Sequence, residues 1–362
     1  MDTGRGGHIS YKFPEDNLDS LLELVEKSPP DNLDIFKRDY GNIVDYLKAP
    51  LSKYQHNALH TLLQFYDPPL WCFTFPDYQL APTLEEYSCI LGIPIKLKVP
   101  FHVSMEVPGS EHIVAALYLG KSVVDANLKT KGGLLGFHLS FLLTTLDDLA
   151  KEEYWKVFNT VLACSIYGIV LFHNVVDFVD INAIRIFMMG NPEPTLLGDV
   201  YHSIHSRNHK KIGGLLWCCD PLLYHWFRSH IPCKGAFTDN KETSKWSKRL
   251  MGLTSNDLVW YSLRLDRMDK YEVIVSCGEF PNVPLMGIRG GINYNLVLSQ
   301  RQLVYALRGP PGDKSIQEYL FYNVIDDVEM MKKAAKAWSH ISCRGKEFFG
   351  KKDCVAYPPY VD

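Results

Sequence analysis

The stretch FTFPDYQLAPTLEEYSCILGIP, residues 73–94, changes structural period part-way along. Phe73 and Phe75 fall on one face of an extended segment, residues 76–78 (PDY) make a turn, and Gln79-Leu80 returns. The pattern predicts a small hairpin. Thr83, followed three residues later by Glu86, forms a T-x-x-E capping box, in which each side chain satisfies an amide of the helix start. Leu84, Tyr87, Ile90 and Leu91 recur at helical spacing, Gly92 stops the helix and Pro94 prevents its continuation. A hairpin locked onto a capped helix is a folding device, so this stretch speaks for architecture before chemistry.

Working outward, the same grammar recurs. Residues 1–15 read as a loose polar, Gly-containing tail, followed by the helical NLDSLLELVEK and a stop at Pro29-Pro30. A second helix is expected from Asp31, with Ile35, Phe36, Ile43, Val44 and Leu47 inward. A third carries Tyr54, Ala58, Leu59, Leu62 and Phe65 on one stripe. Downstream, Ser122 and Asp125 suggest another capped start, and GFHLSFLLTTLDDLA and EEYWKVFNTVLACSIYGIVLF read as successive helices, the second central. DINAIRIFMM ends at Gly190, Thr195 is expected to cap the next helix, and Pro221 should kink or break GGLLWCCDPLLYHWFRSHIP. After Asp239 come a basic amphipathic helix, short strands at DLVWYS and YEVIVSC, a Gly-rich loop, a helix at LVLSQRQLVYAL and a last helix from Asp326 to about Ile341. The expected fold class is mainly α with small β-hairpins, built as a single large helical domain. Its expected divisions are a loose segment and short helix over 1–30, the main domain over 31–325, and a basic helix and tail over 326–362.

The bulk composition bounds the function. The chain has 362 residues and a net charge of -3, so no global field draws it to nucleic acid or to an acidic membrane. It carries nine cysteines, an odd count, without a C-x-x-C pair or a signal-peptide pattern, which implies reduced thiols in an intracellular protein. The apolar run VLACSIYGIVLF is shorter than the roughly 20 residues a membrane span needs.

Candidate chemistry is sparse. Asp199, His202, His205 and His209 lie on one helical stretch, where i, i+3 and i, i+4 spacing can aim two imidazoles at one metal. The competing reading is a solvated helix end, where histidines complement the dipole. Cys218-Cys219 sits between apolar residues and reads as core packing rather than as a nucleophile. GIRGGINYN matches neither phosphate-loop nor dinucleotide spacing and reads as a structural turn. Lys245, Lys248 and Arg249 flank Trp246, and Lys332, Lys333 and Lys336 precede Trp338. Cations interleaved with aromatics can hold phosphates and stack on bases, against the alternative of a solvated helix face anchored by its Trp.

Several stretches together, FYDPPLWCFTFPDYQLAPTLEEYSCILGIPI, NAIRIFMMGNPEPTLLGDVYHSIHSR, GGLLWCCDPLLYHWFRSHIP, RLMGLTSNDLVWY and CGEFPNVPLMGIRGGINYNLVLSQRQL, resemble the plant mobile domain family, in its retroelement-associated branch. The likeness runs from about residue 33 onward. It implies a domain spread by transposable elements, with some host members linked to silencing and genome maintenance in the nucleus. Some relatives are described as aminotransferase-like. This chain shows no lysine context for pyridoxal phosphate, so the resemblance brings no activity, catalytic residue or cofactor. Related chains continue past the position of Asp362 into a coiled-coil-like region, which implies truncation here relative to longer relatives. The expected function is a non-enzymatic interaction module of transposon origin, with a protein partner. The alternatives are a nucleic-acid-binding protein using the basic helices, and a metal-dependent hydrolase or nuclease using Asp199 and the histidine cluster.

Overall fold

The computed structural model describes residues 9–14, 18–48, 51–209, 212–239, 245–260, 272–303, 319–321 and 327–345. β1 (Tyr11–Lys12), α1 (Asp19–Glu26) and α2 (Pro30–Tyr40) lead through a 3-10 turn into α3 (Asp45–Lys48) and α4 (Lys53–Leu63). A sheet of β2 (Tyr66–Asp67), β3 (Cys72–Thr74) and β4 (Gln79–Leu80) precedes α5 (Leu84–Leu91). Then follow α6 (Ser110–Leu117), α7 (Lys121–Asn127), β5 (Lys129–Lys131), β6 (Leu134–His138), α8 (Leu139–Lys151) and α9 (Trp155–Ile166). α9 runs directly into a π-helix, Tyr167–Leu171, before β7 (Phe178–Asp180), α10 (Ile181–Met189) and α11 (Glu193–His209). β8 (Gly214–Leu215), α12 (Asp220–His230), α13 (Ala236–Asp239) and α14 (Trp246–Met251) come next. The remaining strands are β9 (Glu272–Cys277), β10 (Val283–Met286), β11 (Gly291–Tyr294), β12 (Leu320–Phe321) and β13 (Ile341–Gly345), with helices at Leu296–Gln302 and Val328–Trp338. The chain is mainly α, and its sheets are small.

The hairpin and capped helix form as the residues dictate. β3 and β4 pair antiparallel with Phe73 opposite Leu80, and Phe73 and Phe75 are both buried. Thr83 Oγ1 accepts from the Glu86 amide at 3.2 Å, and Glu86 Oε2 accepts from the Thr83 amide at 3.1 Å. Gly92 closes the helix in the left-handed region at φ 69°. α5 packs against α11 and α12, which places the capped helix inside the molecule. Buried apolar side chains from Tyr11 to Trp338 form one contiguous cluster.

Tertiary context overrides several sequence expectations. Residues 9–14, expected to be a loose tail, are docked: β1 pairs parallel with β8, and Tyr11 is buried. Gly136–His138 belong to β6 rather than to the following helix, because they pair with β7. α7 begins at Lys121 after Gly120 and has no side-chain cap, so Ser122 does not start it. α11 begins at Glu193, two residues before Thr195, because Pro194 is tolerated in a first helical turn, where its missing N–H has no partner to lose. Pro221 breaks the sequence between β8 and α12 and sits in the first turn of α12. Ile35 and Tyr54, expected inward, are exposed. The last helix stops at Trp338, and Ile341 already belongs to β13. Residues 257–260 of DLVWYS form no strand, and the rest of that segment lies outside the described residues. Part of LVLSQRQLVYAL and the tail beyond Gly345 also lie outside them. The apolar run at 161–172 is α9 and the π-helix, and among the described residues no helix is long and apolar enough to cross a membrane.

Candidate functional site

Ser52 starts α4 with a complete capping box to Gln55. From that start, Lys53, His56, Asn57 and His60 fall at i, i+3, i+4 and i+7 and share one face, while Ala58, Leu59, Leu62 and Leu63 are buried. The polar face lines a cleft of about 600 Å³. Opposite it lie Ile169 and Val170 of the π-helix, His173, Cys218, and Asp220-Pro221 at the start of α12. Two further pockets in the structure hold only about 10 Å³ each.

Each wall has a local cause. The π-helix passes so close to β7 that a Cβ on Gly168 would lie 2.6 Å from the Val179 methyls. Such single-turn π segments are frequent at functional sites. On α4, His56 Nε2 lies 3.1 Å from Asp220 Oδ2, which ties the ring to α12. Phe13 stacks on His56 at 5.3 Å and meets His60 edge-on at 5.3 Å. The segment carrying Phe13 is held by Gln64, whose side-chain amide exchanges two hydrogen bonds with the backbone of Ile9, at 3.1 and 2.9 Å.

Behind the cleft lies a second polar layer. His173 stacks on Trp217, whose other partner is the Arg289 guanidinium, 3.7 Å from the ring centre. Arg289 donates to Asn174 Oδ1, and Asn174 Nδ2 donates to Asp180 Oδ2 at 2.7 Å. Asp180 caps α10 by accepting from the amides of Asn182 and Ala183. Asp199 Oδ1 accepts from the Ile288 amide at 2.8 Å, and burial pushes its carboxyl up to about 7 despite that bond and the nearby Arg289. A Cβ on Gly287 would lie 2.3 Å from Asp199 Oδ1, so the Gly-rich loop is shaped to receive this carboxylate.

The residues singled out from the sequence land as follows. Asp199 turns to the Gly287–Ile288 loop, His205 Nδ1 meets Tyr66 OH at 3.3 Å, and His202 is buried on α11. Among the described residues no group of three His, Cys, Asp or Glu side chains is placed to hold a metal ion, and the His209 side chain lies outside them. The histidine run is therefore an interior helix face over its described part, not the solvated end its polarity suggests. Cys218 and Cys219 are buried, and burial drives both thiols upward, away from the thiolate that attacks.

The basic groups divide. Lys245, Lys248, Lys332, Lys333 and Lys336 are exposed, and Lys332 pairs with Glu329 at 2.9 Å. Arg249 is buried: it donates twice to Phe237 O, at 2.9 and 2.6 Å, and once to Tyr54 OH, between the rings of Phe237 and Trp246. It serves packing and is not offered to phosphate. Trp246 and Trp338 are buried too, and the Trp338 indole donates to Pro284 O, so neither ring is a stacking platform for bases. Sequence reasoning passed over His56, His60, His173 and Asp220. The available signal was the K-x-x-H-N-x-x-H spacing on α4, which reads as one polar helix face.

Residues 18–362 match the family described as Domain of unknown function (DUF7745). The chain belongs to this family. The match takes in α4, the π-helix and α12, so the cleft walls lie inside the family's span. Neither the curated proteins nor the solved structures contain a match to the chain.

Proposed function

We propose that the chain is one large helical binding domain, an interaction module rather than an enzyme, which holds its ligand in the cleft of α4, the π-helix and α12. The observation that carries this reading is the convergence of Lys53, His56, Asn57, His60, His173 and Asp220 on a space of about 600 Å³ with apolar walls. Small-ligand sites are concave, mostly apolar, and have a few placed polar groups, in volumes of roughly 300–1,000 Å³. The wider setting rests on the resemblance alone: a plant mobile domain of the retroelement-associated branch, transposon-derived, acting in the nucleus with a protein partner. A second reading has one geometric observation in its favour. His56 is oriented by Asp220, the relation of a general base to the carboxylate that holds it, which supports a hydrolase.

A fragment set screened by thermal shift tests the binding reading. Asn57 is exposed on the cleft face of α4, so Asn57→Trp fills the cleft without disturbing the core. Fragments that stabilise the wild type and not Asn57→Trp support the proposal. A set that shifts both proteins alike, or neither, removes it. Turnover of an ester or phosphoester reporter that is lost in His56→Gln would move the assignment to the hydrolase.

A further inference from the structure

We infer that the α4 face of the cleft is a subsite for an aromatic ring, and that residues 9–14 form an autoinhibitory strap whose Phe13 fills it from within the chain; the inference rests on the cleft being the binding site. Phe13 is half-buried, lies against the His56 ring with 15° between the planes, and meets the His60 ring edge-on. Stacked and edge-on contacts are the arrangements that aromatic rings prefer. They use the ring surfaces and not the ring nitrogens, so the subsite does not depend on the charge of either imidazole. Pro14, the next residue, already lines the cleft. The polar face of α4 thus holds an aromatic ring at the rim of the cleft, and that ring comes from the chain itself. The strap is held at its edge. β1 has two residues, and the amides of Gly214 and Leu216 donate to Ser10 O and Lys12 O at 2.8 Å each. Gln64 holds Ile9, and Tyr11 is the buried anchor. Segments paired over so short a length open locally, at less than the free energy of global unfolding. The family's matched span begins at residue 18, so the strap reaches the cleft from outside it. A ligand ring that replaces Phe13 must lift the strap, and its apparent affinity is lowered by the fraction of chains in which the strap is open.

Gly213 supplies the test. It sits at φ 57°, and a Cβ there would overlap Ser10 O, so Gly213→Ala pushes the strap off β8 without altering a residue of the cleft lining. Hydrogen exchange should quicken at the Gly214 and Leu216 amides of this variant. Calorimetric titration should then show benzyl alcohol binding about tenfold or more tighter than to the wild type. Cyclohexylmethanol, of similar size but not aromatic, should gain less. Unchanged or weaker binding of benzyl alcohol overturns the strap and leaves the cleft as a binding site. An equal gain for cyclohexylmethanol overturns the aromatic subsite. If the variant does not fold, or its strap stays docked, the wild type decides. Benzyl alcohol should quicken exchange at Gly214 and Leu216 there, and unchanged or slowed exchange overturns the inference. Fragments that fail to distinguish wild type from Asn57→Trp remove the cleft as a binding site and this inference with it.

Discussion

Glu86 Oε1 lies 2.9 Å from His230 Nε2, and both side chains are almost wholly buried. The same carboxylate accepts from the Trp226 indole at 2.9 Å and from the Thr83 amide and hydroxyl at 3.1 Å. His230 Nδ1 faces Val259 O at 2.9 Å, and Gln302 Nε2 approaches His230 Nε2 at 3.1 Å. The capping residue of α5 is thus also the hub that ties α5 to α12 and to the helix Leu296–Gln302. Removing one partner of such a buried pair typically costs about 3–5 kcal/mol, since the other is left uncompensated. His230→Ala and Glu86→Ala should each lower stability by that order in urea denaturation. A double variant whose loss equals the sum of the two would show that the pair is not coupled.

Thr83→Ala removes the hydroxyl that accepts from the Glu86 amide and donates to the Glu86 carboxylate. The expected loss is about 1 kcal/mol, the usual cost of an N-cap. An unchanged melting curve would contradict the capping box as a source of stability.

Glu193 is fully buried, and neither of its oxygens has a hydrogen-bond partner among the described residues. It opens α11, where the helix dipole favours a negative charge, yet burial dominates and raises its carboxyl to about 8. Glu85 and Asp199 are each raised to about 7, burial being the main cause. A carboxyl raised in the folded state holds its proton there after the unfolded chain has lost it. The stability it brings is present below the unfolded value, about 3.8 for Asp199 and about 4.5 for the two glutamates, and is lost as pH rises through the folded one. The chain should therefore melt at progressively lower temperature as pH rises from about 4.5 to about 8, on account of these groups. Glu193→Gln cannot ionise and should flatten that decline. Parallel melting profiles for the two proteins would mean that Glu193 is not held neutral.

Gly168→Ala tests the π-helix wall of the cleft. The added methyl would lie 2.6 Å from the Val179 side chain, so the π-helix or β7 must shift. Overpacking of this kind costs about 1–3 kcal/mol. A loss of fragment binding with a small stability change would show that the π segment shapes the cleft. Retained binding would show that the cleft tolerates its displacement.

Arg249→Ala should destabilise the chain by about 1–3 kcal/mol, because Phe237 O loses its donors inside the protein. Lys245→Glu and Lys248→Glu, both on exposed side chains, should leave the melting temperature unchanged. No discrete complex with DNA or RNA is expected at nanomolar protein, since non-specific binding falls at about 10⁻⁴ to 10⁻⁶ M. A tight complex that persists as salt rises and is lost in the two lysine variants would favour the nucleic-acid reading.

Much of the architecture was legible along the chain, because the signals are local. A capping box spans four residues, and left-handed Gly92 and Gly190 end the helices they follow. These are backbone hydrogen bonds between near neighbours, so the residues alone determined them, along with the mainly helical class. What lies far apart in sequence needed packing. Gly136–His138 read as helix until β7 pairs with them, and the stretch at residues 9–14 reads as a tail until β8 and Gln64 bind it. Arg249 reads as a phosphate ligand until the rings of Phe237 and Trp246 enclose it. The cleft is the clearest case: α4 carries its polar face openly in the sequence, but His173 and Asp220 reach it only through the fold. Burial and convergence are properties of the packed chain, set by which helix faces cover one another, and no local pattern encodes which distant side chain will close the other side.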